Sequence, residues 1–119
     1  MFTLKQFQDY ISQFSPYHKF KFTLSDPFSW RGSYDEVAFS VNEGESTAVD
    51  ILLKIQHAYR EEYIGYKGGK YSYNDSTLVN FEENRTAWSD EQYAKEFIET
   101  HSEDKLYSLQ EKLVRLAFK

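Results

Sequence analysis

No cysteine occurs among the 119 residues. That excludes a disulfide scaffold, a thiolate zinc site, an iron–sulfur cluster and a cysteine nucleophile, and it fits a reducing cytoplasm. No apolar run approaches the ~18–20 residues needed to cross a bilayer. The N-terminal stretch Met1-Phe2-Thr3-Leu4-Lys5-Gln6-Phe7 has no charged region followed by an apolar one, so no signal peptide is expected. Positive charge is also scarce. Lys and Arg number 14 against 19 Asp and Glu, a net charge of −5, which argues against a broad nucleic-acid-binding face and leaves room for one small basic pocket.

Rings are abundant instead. Ten Phe, ten Tyr and two Trp make 18% of the chain aromatic, against 40% hydrophobic overall. The core is therefore expected to be built from rings more than from aliphatic side chains, with many hydroxyl tips able to sit half exposed. The length suits one domain covering 1–119.

Residues 3–14 read as a helix. Thr3-x-x-Gln6 is a capping box, Phe2 and Phe7 form a hydrophobic staple, and Leu4, Phe7, Ile11 and Phe14 make one stripe. Strict alternation over Lys19–Leu24 predicts a half-buried strand with Phe20, Phe22 and Leu24 on one face. Ser25-Asp26-Pro27 breaks it. A second strand is expected from Tyr34 to Val41, after a turn or bulged strand over Phe28–Ser33. Thr47-x-x-Asp50 opens the strongest helix, about 47–63, with Gly65 as its expected C′ residue. Lys70–Tyr73 and Thr77–Phe81 read as a hairpin, and 82–88 as a linker. Ser89-x-x-Gln92 is another capping box, opening a helix to about 100, with Trp88 and Tyr93 as staple partners. A last helix, 102–118, carries the stripe Leu106, Leu109, Leu113, Leu116 and Ala117. The expected class is α+β: a four-stranded antiparallel sheet covered on one face by helices, in the order α-β-β-α-β-β-α-α. Residues 89–118 form a helical pair that either packs on the sheet or offers a face to a partner.

Two segments carry candidate chemistry. In Ser29-Trp30-Arg31-Gly32-Ser33-Tyr34, Trp30 offers a stacking platform and Arg31 a planar fork for phosphate or carboxylate. Gly32 permits close backbone approach, and Ser33 and Tyr34 add hydrogen-bonding tips. The plain alternative is a core Trp30, a surface ion pair at Arg31 and a turn at Gly32. In Gly65-Tyr66-Lys67-Gly68-Gly69-Lys70-Tyr71, three glycines and two lysines can present backbone N–H groups and positive charge to an anion. The plain alternative is a helix cap and hairpin entry. Neither the P-loop pattern nor the dinucleotide fingerprint is met. If the two segments meet at one end of the sheet, Arg31, Lys67 and Lys70 can converge with Trp30 and Tyr66.

The run Ser29-Trp30-Arg31-Gly32-Ser33-Tyr34-Asp35-Glu36-x-Ala38, an amphipathic helix, and Gly65-Tyr66-Lys67-Gly68-Gly69-x-Tyr71 together resemble an uncharacterised family of small phage- and prophage-encoded proteins. The resemblance spans about residues 24–81. It implies a virus-derived accessory protein acting in the cytoplasm of a bacterial host, and it brings no assigned activity or catalytic residue.

The expected function is non-enzymatic: capture of a small phosphate-bearing or nucleotide ligand through Trp30, Arg31, Gly32, Ser33, Tyr34, Tyr66, Lys67 and Lys70, in a counter-defence role. One alternative is an inhibitor of a host nuclease or defence protein that acts through its acidic surface, including Glu82, Glu83, Asp90, Glu91, Glu96, Glu99, Glu103 and Asp104. Another is a small hydrolase using Asp35 and Arg31. No cofactor or metal is expected: His57 and Glu61 share a helix face, but the spacing reads as an ordinary surface pair. Neither extensive nucleic-acid binding nor membrane insertion is expected. The edges of a small sheet leave homo-oligomerisation open.

Overall fold

A computed structural model of the chain describes residues 1–102. The helix expected over 102–118 lies, beyond Ser102, outside the described residues.

The first helix, α1 (Leu4–Ser12), starts where the capping box places it. Thr3 Oγ1 accepts from the Gln6 N–H, and the Gln6 side chain accepts from the Thr3 N–H. The Phe2 and Phe7 rings meet with centroids 5.5 Å apart, as a staple requires. The alternating segment Lys19–Leu24 is cut into β1 (Lys19–Phe20) and β2 (Thr23–Leu24). Between them the Lys21 N–H turns away to donate to the His101 carbonyl. Next come β3 (Phe28–Ser29), β4 (Glu36–Asn42) and β5 (Ser46–Thr47).

The helix α2 (Ala48–Arg60) again begins at its capping box, Thr47 with Asp50. It ends three residues earlier than its periodicity suggests, because Tyr63 and Ile64 leave it to form β6 (Tyr63–Ile64). The C-cap is Glu61 in extended conformation, so Gly65 is not a helix cap. The chain continues through β7 (Lys70–Tyr71), β8 (Leu78–Glu83), β9 (Thr86–Trp88) and α3 (Glu91–Thr100). Asp90, rather than Ser89, caps α3, accepting from the Tyr93 N–H at 2.8 Å. Trp88 and Tyr93 still touch, with centroids 4.9 Å apart.

The α+β class holds, but the sheet differs from the expected one. It is mixed and five-stranded, ordered β2-β4-β8-β9, with β3 also paired to β4. Its centre is a parallel pair, β4 with β8, in the register Val37 opposite Val79 and Phe39 opposite Phe81. A parallel pair requires a crossover connection, and α2 lies within it. The hairpin expected between 70–73 and 77–81 does not form. Instead β7 pairs with β6, leaving β8 free to run beside β4. The expected linker 82–88 is a hairpin. Asn84 and Arg85 take positive φ (48° and 69°) and turn β8 into β9, the two-residue geometry that matches strand twist.

Val37, Phe39, Val79 and Phe81 share one sheet face, and the helices cover it. Phe7 of α1 packs edge-on to Phe39 at 5.9 Å and to Phe81 at 5.2 Å. Phe97 of α3 reaches Phe22 and Trp88 at 5.4 and 5.2 Å. From α2, Ala48, Ile51, Ile55 and Ala58 complete this ring-rich core. The opposite face carries the alternate residues: Phe28, Glu36, Ala38, Asn80, Glu82 and Ala87, by the register of β3, β4, β8 and β9.

Phe7 touches three other rings and is 1% exposed. Phe7→Ala is expected to lower stability by ~3–5 kcal/mol, measured as the shift in a denaturant unfolding midpoint at unchanged slope.

Candidate functional site

The two segments singled out in the sequence are physically joined. The first makes a tight turn over Trp30–Gly32, closed by the Ser33 N–H donating to the Trp30 carbonyl at 2.8 Å. Arg31 and Gly32 both take positive φ, 51° and 75°. For Gly32 this conformation carries no side-chain penalty; for Arg31 it is one that L-residues adopt rarely. The second segment is the β6–β7 hairpin, closed by the Gly65 N–H on the Gly69 carbonyl at 2.8 Å and by the Gly68 N–H on the Gly65 carbonyl at 2.8 Å.

A backbone bond links the two: the Tyr66 N–H donates to the Gly32 carbonyl at 3.0 Å. Glycine is needed on both sides of this seam. A Cβ on Gly32 would lie 2.9 Å from the Tyr66 nitrogen, and one on Gly65 would lie 2.2 Å from the Tyr34 ring.

A hydroxyl cluster fixes the seam from within. The Tyr71 hydroxyl donates to the Ser33 carbonyl at 2.7 Å, and the Tyr73 hydroxyl donates to the Glu36 carbonyl at 2.7 Å. Ser29 Oγ hydrogen-bonds the Tyr71 oxygen, and the two phenol oxygens are 2.9 Å apart. Three hydroxyl protons thus serve two carbonyls and one phenol oxygen, so each proton has an acceptor. Tilted and edge-on rings surround the cluster: Tyr34 against Tyr71 at 4.8 Å, Tyr63 against Tyr73 at 4.6 Å and Tyr34 against Tyr66 at 5.6 Å. Burial pushes the Tyr63 and Tyr73 phenols well above their ordinary range.

Outside this seam lies an open depression of about 480 Å³, lined by Trp30, Arg31, Ser33, Tyr34, Asp35, Glu36 and Tyr66. Arg31 lies over the Trp30 indole, its guanidinium carbon 4.8 Å from the ring centre, and it forms no ion pair among the described residues. Trp30 is half-buried and Tyr66 exposed. Glu36 accepts from Asn80 Nδ2 at 3.2 Å, which fixes one of its oxygens. Of the eight sequence-predicted site residues, five line the hollow: Trp30, Arg31, Ser33, Tyr34 and Tyr66. Gly32 supports it from behind through the backbone. Lys67 stays near the rim, with Nζ 5.5 Å from the Tyr66 ring centre. Lys70 lies opposite Ile64 on the hairpin ladder, and its side chain is not among the lining groups. Asp35 and Glu36 enter as lining carboxylates; for Glu36 the signal was its position two residues before Ala38 on a strand face left bare by the helices.

His57 contributes to no such hollow with the arginine. Its Nε2 is 2.5 Å from Glu61 Oε2 and its Nδ1 3.6 Å from Asp26. Asp26 is held below the usual carboxylate range by its hydrogen bond to Lys54. Among the described residues no group of His, Asp and Glu has the geometry to hold a metal ion, and no helix is long and apolar enough to cross a membrane. No protein-family model matches the chain, and neither a curated protein nor a solved structure matches it significantly.

The hydroxyl cluster makes an opposed pair of expectations. Tyr73→Phe removes a buried donor from the Glu36 carbonyl and should cost ~1–2 kcal/mol. The Tyr63 hydroxyl, buried with no hydrogen-bond partner among the described residues, should be neutral or stabilising to lose, by up to ~1 kcal/mol in Tyr63→Phe. Thermal or chemical unfolding of the two variants measures the contrast.

Proposed function

We propose that the protein binds a small phosphate-bearing nucleotide, without transforming it, in the depression bordered by Trp30, Arg31, Tyr34 and Tyr66. The supporting observation is one arrangement: an indole with a guanidinium held against it that has no ion pair among the described residues, in one lining with an exposed phenol 36 residues further along the chain. Each part has a task. The Trp30 and Tyr66 rings offer faces to a base, since stacking is worth ~1–3 kcal/mol per base. The cation–π contact positions the Arg31 fork before the ligand arrives, which limits the ordering cost of gripping phosphate. Asp35 and Glu36 would repel phosphate placed beside them, but a carboxylate accepts N–H donors. The lining therefore favours a ligand with anion at the Arg31 end and N–H groups of a base at the carboxylate end. Lys67 adds positive charge from the rim, and the Gly65–Lys70 loop contributes mainly through Tyr66 and its backbone.

The resemblance of the two segments to phage- and prophage-encoded proteins gives this binding a purpose. Sequestering a nucleotide signal in the host cytoplasm would be a counter-defence act that needs no turnover. The acidic-surface inhibitor reading draws less support from the side chains. Asp90 caps α3, Glu91 pairs with Lys95 at 3.0 Å, Glu96 accepts from Gln92 at 3.0 Å and Glu99 accepts from Tyr10 at 2.9 Å; Glu103 and Asp104 lie outside the described residues. The hydrolase reading has Asp35 and Arg31 in one hollow, with no histidine in the lining.

Isothermal titration of the folded protein with mononucleotides and cyclic dinucleotides tests the proposal. Saturable binding is expected, weakened at least about tenfold by Trp30→Ala and by Arg31→Ala, with the nucleotide recovered unchanged. Absence of heat with every nucleotide contradicts binding, and conversion of the nucleotide contradicts a purely sequestering role.

A further inference from the structure

Trp30 and Arg31 border a second hollow. This one measures about 340 Å³ and is lined, besides those two, by Phe28, Glu82, Arg85 and Ala87. Phe28 pairs with Ala38, Ala38 with Asn80, and Glu82 with Ala87. The floor is thus a continuation of the sheet face that the helices leave uncovered. Arg85 arrives from the β8–β9 turn, where it takes a left-handed conformation (φ 69°), as Arg31 does in its own turn (φ 51°). Neither arginine forms an ion pair among the described residues, although Glu82 lies in the same lining as both.

Two hollows therefore share Trp30, and each carries an arginine that forms no ion pair among the described residues. Arg31 is shared between them, and Arg85 belongs to the second alone. A mononucleotide fills the first hollow and satisfies one cation. A ligand spanning both would need anionic groups set apart from each other, because the register sets the two turns at opposite ends of β8: Ser29, two residues before Arg31, is level with Val37 and so with Val79, whereas Arg85 follows Glu83 at the far end of the strand. Adjacent phosphates, as in a nucleoside 5′-diphosphate, are not set apart in that way.

We propose that the site is bipartite and takes a nucleotide with two separated phosphate groups, one at Arg31 in the first hollow and one at Arg85 in the second. This rests on the nucleotide-binding reading given above and specifies its ligand class. The chemistry is shared by a nucleoside 3′,5′-bisphosphate and by a cyclic dinucleotide, which differ in whether a second base is present.

Calorimetry with four probes tests it: AMP, ADP, adenosine 3′,5′-bisphosphate and cyclic di-AMP. ADP controls for added charge without separation. The expected result is that the bisphosphate or the cyclic dinucleotide binds about tenfold more tightly than either AMP or ADP, the scale of one charge-assisted contact. A preference for both identifies separated phosphates as the determinant; a preference for the cyclic compound alone identifies a two-base ligand. In Arg85→Asn the ratio of that affinity to the AMP affinity should fall from about ten to about one. Asparagine tolerates the left-handed turn, so the fold is retained, and circular dichroism verifies it. A ratio near one in the unaltered protein, or a ratio unchanged by Arg85→Asn, overturns the bipartite site while leaving nucleotide binding standing. No binding of any probe overturns both.

Discussion

The carbonyl oxygen of Ser33 is the point on which the open face of the protein turns. It accepts from Tyr71 at 2.7 Å, and Tyr73, 3.2 Å away, donates more closely to the Glu36 carbonyl at 2.7 Å. Two turns of chain, one ending β3 and one forming the β6–β7 hairpin, are held together by these hydroxyls although β4, β5 and α2 lie between them in sequence. Without them the part-buried Ser33 and Glu36 carbonyls would lose their donors in a region shielded by five tyrosine rings, and each unsatisfied group costs more than an ordinary hydrogen bond contributes. The seam leaves no freedom for side chains at Gly32 and Gly65, so the backbones meet directly and Tyr66 joins Trp30 in the lining of one depression.

That seam sits on a scaffold with a division of labour. The parallel β4–β8 pair gives one face to the helices, where Phe7, Phe39 and Phe81 interlock. The other face is left to short turns. Both turns that carry a candidate arginine use positive φ, and both are anchored to the edges of β4 and β8. Rigid strands beneath mobile-length side chains are the arrangement in which loops acquire binding roles. This face carries both signs, with Arg31 and Arg85 beside Asp35, Glu36 and Glu82.

Local chemistry in the sequence was enough for the starts of the first two helices. The capping boxes at Thr3–Gln6 and Thr47–Asp50 begin α1 and α2 as their spacing predicts. The start of α3 shifts by one residue because Asp90 and Ser89 are both competent caps, and only tertiary packing chooses between them. Strand pairing was less legible. Nothing within 70–81 distinguishes a local hairpin from a strand that pairs with β4 some forty residues earlier, since alternation reports faces and not neighbours. The β8–β9 hairpin was hidden because its turn uses Asn84-Arg85 in place of the usual Asn-Gly, and with it went Arg85. The meeting of the two glycine-bearing segments was open to inference from their order around the crossover. The tyrosine hydroxyls that join them were not, because a Tyr-rich stretch reads equally well as core or as surface.

The most direct test of this account is amide hydrogen exchange at Tyr66. Its side chain is exposed, and its N–H is engaged only through the 3.0 Å bond to the Gly32 carbonyl. If the two segments are joined as described, that amide exchanges slowly, with protection approaching that of the β4 and β8 amides. Exchange at the rate of an unprotected amide, while β4 and β8 remain protected, would mean that the segments part in solution and that no common face exists between Trp30 and Tyr66.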